Sequence, residues 1–275
     1  EETSSAGAST IIAFIAGILM FMFIMLYGIQ VMRGVIEEKT SRIIEVMISS
    51  VKPFQLMMGK IIGIALVGLT QFILWIVLTL TISTIAATVL IDKTDVKKIS
   101  ASAQTESTVG GVSQEQVQAA QGPIGDIQKS LAGLDFGKIV SVFIFFFIGG
   151  YLFYSALYAA IGSAVDSETE TQQFMMPVMM PLLLGYALSL SVVTNDPYGN
   201  VAFWLSMIPF TSPIAMVVRL PYGVPGWELA LSMAILVIGF VFTVWVASRI
   251  YRVGILMYGK KTTFKEMFKW FTYKN

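Results

Sequence analysis

Five stretches of this chain are long and apolar enough to cross a bilayer, and no other feature restricts its fold as strongly. A hydrocarbon core of about 30 Å needs about 20 consecutive apolar residues in a helix. The stretches cover residues 11–32, 61–91, 139–165, 174–193 and 227–247. In lipid every backbone N–H and C=O must be satisfied within the protein, so runs of this length are read as helices. Gln30 is the most polar residue of the first run. The second is longer than a span requires and is expected to tilt or project. Tyr27, Trp227, Trp245 and Tyr251 lie near run ends, where aromatic belts form. Apolar residues make up 56% of the chain and charged residues 13%, against about 25% charged in soluble domains. Core helices of a large soluble protein are the competing explanation, and run length disfavours it.

Composition also removes whole classes of chemistry. The chain has no Cys and no His, so disulfides, thiolate catalysis, most zinc sites and His-based triads drop out. A net charge of +1 supplies no bulk field for nucleic acid, and no nucleic-acid partner is expected. There is no Gly-rich loop ending in Lys-Ser/Thr that would hold ATP. No run carries Asp, Glu or Lys at its middle, the groups that ion-driven carriers use. The motive force is therefore expected from a partner. No nucleophile–base pair stands out in the runs, which makes a membrane enzyme the weakest reading, and no catalytic or metal-binding residue is nominated. Met175, Met176, Met179 and Met180 are soft enough for copper, but neighbouring Met residues on a helix point apart.

Lys and Arg set an orientation. Residues 33–60, 166–173 and 248–275 fall on one side and carry Arg33, Lys39, Arg42, Lys52, Lys60, Arg249, Arg252, Lys260, Lys261, Lys265, Lys269 and Lys274. Residues 1–10, 92–138 and 194–226 fall on the other and carry Lys93, Lys97, Lys98, Lys129, Lys138 and Arg219. The richer side is assigned to the cytoplasm. The 166–173 turn, with Asp166, Glu168 and Glu170 and no base, dissents without overturning this, since acids weigh little in the rule. The amino end is then outside with no signal peptide in view. This leads to the expectation that the chain is the carboxy-terminal portion of a longer protein.

The connecting segments differ in kind. In 33–60, Glu38 and Arg42 stand four apart, and Ile36, Ile43, Val46 and Met47 fall near one helical face. An amphipathic helix on the cytoplasmic side is expected, followed by a new helix from Lys52-Pro53. It reads as a docking helix in preference to an ordinary charged loop. Residues 92–138, rich in Ser, Gln, Gly and Ala, read as an extracytoplasmic loop in which Ser113 and Gln116 could cap a short helix. Residues 194–226 are apolar but broken by Pro197, Pro209, Pro213, Pro221 and Pro225. A re-entrant helical hairpin fits, because broken backbone at membrane depth is tolerated under protein cover. Arg219 at its edge is expected to snorkel or pair. The tail offers Phe264, Met267, Phe268 and Phe271 on one face and Lys265, Glu266 and Lys269 on the other, suiting the inner leaflet or a partner protein. Gly59 and Gly63 allow close helix approach. Pro177 and Pro181, four apart in the fourth run, are expected to break it and free carbonyls, as at transport sites; a simple kinked span is the alternative.

Three segments together are recognisable. EEKTSRIIEVMISSVKPFQLMMGK (37–60), AIGSAVDSETETQQFMMP (160–177) and PFTSPIAMVVRLPYGVPGWE (209–228), in that order, resemble the coupling segment, the next intracellular turn and the re-entrant segment of type-2 ABC exporter permeases. The resemblance is greatest to the bacterial sodium-efflux, NatB-like branch. It implies an all-α membrane protein with five transmembrane helices of a six-helix type-2 ABC exporter fold, lacking the first span and the extracytoplasmic insert. It implies a bacterial plasma membrane location, a dimer with a second or homologous permease copy, and ABC ATPase subunits that bind ATP and Mg in this chain's stead. Membrane lipid is the remaining partner. On the same resemblance Glu37, Glu38, Lys39, Thr40, Ser41, Arg42, Glu45 and Met47 would couple to the ATPase. Asp166, Glu168, Glu170 and Gln173 would form a secondary cytoplasmic contact. Gln30, Pro177 and Pro181 would belong to the path, lined by the first and fourth spans, and Pro209, Pro213 and Arg219 to the re-entrant segment. The cargo would be sodium or a hydrophobic small molecule, with a non-transporting scaffold or sensor of the same fold as the alternative.

Overall fold

The computed structural model describes residues 2–90, 136–166, 168–257, 263, 266–267 and 269–270. The expected loop 92–138, with its Ser113–Gln116 cap, lies almost wholly outside the described residues, as do Phe264, Phe268 and Phe271 of the tail. Chain contacts divide the protein into two units, Glu1–Ser5 with Val67–Leu134 and Ala6–Leu66 with Asp135–Asn275. Every contact described below lies within the second.

Helix accounts for nearly all the described residues, and no strand occurs among them. The long helices are α1 (Glu2–Thr40), α3 (Pro53–Leu90), α4 (Phe136–Ala164), α5 (Glu168–Leu188) and α8 (Gly226–Gly254). Short α2 (Ile43–Ile48) separates α1 from α3, and α6 (Asn200–Met207) and α7 (Ser212–Arg219) precede α8. Among the described residues five helices are apolar and long enough to cross a membrane: Ser9–Thr40, Pro53–Thr79, Gly137–Ala164, Glu170–Val193 and Gly226–Gly254. Uninterrupted apolar sequence explains them, since helix alone satisfies the backbone within one segment.

The fourth span departs from expectation at its prolines. Helix α5 continues through Pro177 and Pro181 without interruption. The irregular part follows it, a π-helical turn over Ser189–Val193. There the Ser189 hydroxyl donates to Gly185 O at 2.5 Å and the Ser191 hydroxyl to Ala187 O at 2.9 Å. These side chains occupy carbonyls that a widened turn leaves poorly served.

Helix α8 packs principally on α4, and α7 packs on α4, α5 and α6. Helix α7 is buried along its whole length. A Cβ on Gly162 would come within 2.7 Å of Met32 O, so glycine lets α4 meet the backbone of α1. Tyr27 and Tyr251 prove to be core residues, at 6% and 0% exposure, in a cluster with Val31, Val35, Ile44, Met57 and Ile61. Of the four aromatics expected at the interface only Trp227 and Trp245 are exposed. Among the described residues the small-residue face of Gly59 and Gly63 meets nothing: a Cβ at either would find no atom within 4 Å.

Candidate functional site

The coupling segment is two helices with a corner between them. Helix α1 runs to Thr40, where its last carbonyls need partners. The Thr40 hydroxyl donates to Ile36 O at 2.9 Å and the Ser41 hydroxyl to Glu38 O at 3.2 Å. Arg42 then adopts φ 55°, the left-handed region, and donates its N–H to Lys39 O at 3.1 Å. For a residue other than Gly this costs about 1–2 kcal/mol. It ends α1 and turns the chain into α2.

That corner corrects two expectations. Glu38 and Arg42 do not share a helix, so their four-residue spacing brings no pair; Glu38 instead meets Lys60 Nζ at 2.7 Å. Gly34 makes room for that Lys, whose Nζ lies 3.1 Å from where a Cβ would stand. The apolar face also differs. Ile44 is the buried residue of α2, while Ile43 and Val46 are 52% and 73% exposed. Helix α2 therefore anchors on Ile44, with Met47 and Ile48 half-buried against the same cluster, and shows two apolar side chains outward. After it, Lys52 donates its N–H to Gln55 Oε1 at 3.2 Å, and Pro53 begins α3. Pro at a first helical position has no N–H to leave unsatisfied.

A second tie joins this segment to the 166–173 turn. Lys39 is 1% exposed; its Nζ lies 2.8 Å from Asp166 Oδ1 and donates to Ser163 O at 2.7 Å. An ammonium buried this deeply is tolerable only with such partners. Thus the structure brings together Lys39 with Asp166 and Glu38 with Lys60. Glu37, Thr40, Ser41, Arg42 and Glu45 are exposed, Met47 half-buried. Gln173 is exposed and Glu170 half-buried on α5, while the Glu168 side chain lies outside the described residues. Sequence reasoning missed Lys60 and Ser163, because their partners sit 22 and 124 residues away along the chain.

The opposite end of the bundle holds the proline-rich segment. Thr211 donates its N–H to Ile208 O at 3.0 Å, closing the turn between α6 and α7, and its hydroxyl to Leu205 O at 2.5 Å. Pro209 is half-buried in that turn and Pro213 buried at the start of α7. Arg219, 2% exposed, meets Glu228 Oε2 at 2.8 Å and donates to Ser206 Oγ at 2.6 Å and Pro197 O at 2.8 Å. One guanidinium fork thereby connects α6, α7, α8 and the strand of chain before α6. Ser9 Oγ donates to Pro221 O at 3.2 Å and Tyr222 Oη to Thr10 Oγ1 at 3.1 Å, so the start of α1 is held here.

Between α1 and α5 lies a cleft of about 360 Å³. Of the residues expected to belong to a path, Gln30 and Pro177 are exposed and Pro181 is half-buried. Gln30 and Pro177 are not among the side chains that line the cleft.

A family model described as ABC-2 family transporter protein matches residues 2–249. Among curated proteins, the uncharacterized protein YhaP of Bacillus subtilis (strain 168) is 27% identical over 266 residues, covering 96% of this chain and 56% of that protein. The uncharacterized protein MJ1024 of Methanocaldococcus jannaschii is 25% identical over 255 residues, covering 90% and 52%. The chain thus spans about half the length of the curated relatives it matches. No solved structure matches it.

Proposed function

The chain belongs to the ABC-2 family of transporter proteins, and from that premise we propose that it is the membrane permease portion of an ATP-binding-cassette exporter. In this reading two permease copies enclose a path, separate ATPase subunits bind ATP and Mg, and α2 with the end of α1 receives their motion at the cytoplasmic face of a plasma membrane.

The observation that carries the reading is α2. A six-residue helix that buries one Ile and exposes Ile43 and Val46 is poorly served by water. Exposed acids and a base, Glu37, Glu45 and Arg42, surround that apolar pair. An apolar centre within a polar rim is the composition of a protein interface. The Lys39–Asp166 and Glu38–Lys60 pairs stiffen its mounting, so a push on α2 would reach α1 and α3 together. Rigid-body tilting of helices is a common form of such a switch.

Replacing Ile43 and Val46 by Asp tests this. Both side chains point away from the chain's core, so insertion and thermal stability should hold. ATP turnover of the assembled complex should fall about fivefold or more, as for loss of an interface centre worth about 1–2 kcal/mol or more. Full turnover with a normally bound ATPase would remove α2 from the coupling role. Failure of any ATPase to co-purify with the full-length protein would remove the exporter reading itself.

A further inference from the structure

We propose that the cleft between α1 and α5 binds an anionic amphiphile, a molecule carrying a phosphate or carboxylate headgroup on a hydrocarbon tail. The step from binding to export rests on the permease reading above; the binding itself does not.

The walls come from two helices. Ile29, Met32, Arg33 and Ile36 recur at intervals of three, one and three on α1 and so share one face. Thr171, Gln172 and Met175 face them from α5. At about 360 Å³ the space lies within the range of small-molecule sites. Most of the lining is Ile and Met, which suits an alkyl chain; Met adapts its shape to irregular apolar guests.

Charge supplies the other half of the case. Lys39, Lys60 and Arg219 each end on a carboxylate of this chain. Arg33 has no ion pair and no hydrogen bond among the described residues, and no acidic side chain lines the cleft. Gln172, exposed beside it, likewise makes no side-chain hydrogen bond. Arg33 follows directly on the apolar stretch 11–32, where a tail in lipid and a head in water would part. A guanidinium presents a fork matched to phosphate or carboxylate oxygens, and the Gln172 amide can donate alongside it. Greasy walls with one unmatched cation at their polar edge describe an amphiphile with a negative head, and no simple cation would enter beside Arg33.

The test uses the full-length protein in dodecyl maltoside, with Met175→Cys as a reporter in a chain that has no cysteine of its own. The rate of maleimide addition at position 175 is read by peptide mass spectrometry. Dodecyl phosphate should slow it saturably, by about fivefold or more, while inorganic phosphate and dodecyl trimethylammonium should not. Arg33→Gln should raise the half-protecting concentration about tenfold or more, as expected for one charge-assisted contact, with the unliganded labelling rate unchanged. Gln172→Ala should raise it by a smaller factor. Equal protection by inorganic phosphate would make this a plain anion site, and equal protection by the cationic amphiphile a charge-blind groove; either overturns the proposal. So would absence of protection, or an Arg33→Gln protein that behaves as the parent. No ATP and no ATPase enter the assay, so its failure leaves the exporter reading standing.

Discussion

Arg219 and Lys39 are the two buried cations among the described residues, at 2% and 1% exposure. Each sits where a neighbouring segment supplies a carboxylate. Removing one member of such a pair strands a charge and costs about 3–5 kcal/mol, whereas replacing both by apolar groups costs far less. Arg219→Met should therefore lower the melting temperature of the detergent-solubilised protein more than Arg219→Met with Glu228→Leu. If the double variant melts below the single one, a stranded Glu228 carboxylate is not the source of the loss. That Arg219 would pair or snorkel could be read from a lone base beside apolar sequence. Its partner could not, because Glu228 lies beyond a 3-10 turn, a left-handed Gly223 and Pro225. Arg42 shows the reverse failure. Spacing suggested a helical pair with Glu38, but the backbone turns left-handed at Arg42, a conformation for which Arg carries no sequence signal.

The long helices were legible because a bilayer leaves a chain few options, and apolar runs announce them directly. Their ends and corners were less so. No Gly or Pro marks the turn after Thr40; hydroxyls of Thr40 and Ser41 stop the helix by taking its carbonyls. Which side of α2 is buried follows from that corner, so Ile44 in place of Ile43 and Val46 was out of reach of periodicity alone. Helix α5 carries the sharpest test at this scale. Pro177 and Pro181 lie within a continuous helix, yet each lacks the N–H that would serve Gln173 O and Pro177 O. Pro177 is exposed on the chain's surface. Replacing both by Ala should preserve insertion and lower transport per assembled complex, if a soft point in α5 is needed for the path to change shape. Wild-type turnover in the well-folded double variant would reduce the prolines to packing.

Among the described residues of the second unit, contacts gather the connecting segments into two groups. Residues 39, 60, 163, 166 and 254 meet at one end, where a Cβ on Gly254 would lie 2.9 Å from Ser163 O. Residues 9, 10, 221, 222 and 198 meet at the other, where Tyr198 Oη donates to Tyr222 O. Basic residues favour the first end for the cytoplasm. Because the chain has no Cys, single thiols can report sidedness. Asn200→Cys should react with an impermeant reagent in intact cells and Ser41→Cys only after permeabilisation; the opposite pattern would invert the assignment. The tail's apolar face is expected on the inner leaflet or a partner protein, yet Met267 of that face, with Trp270, is buried against this chain's own main apolar cluster, at 9% and 7% exposure. Aromatics at a chain end cannot be told apart by sequence as lipid-facing or protein-facing, since both environments are greasy. One feature of α1 reaches furthest. Its membrane-crossing length, Ser9–Thr40, is 32 residues of continuous helix, or about 48 Å at 1.5 Å per residue, well beyond a hydrocarbon core of about 30 Å. Were a push delivered beside Lys39, such a helix would act as a lever whose two arms are joined without a joint: a tilt of about 10° about its midpoint would carry each end sideways by about 4 Å on that length, and the Pro221–Tyr222 turn would feel it in full.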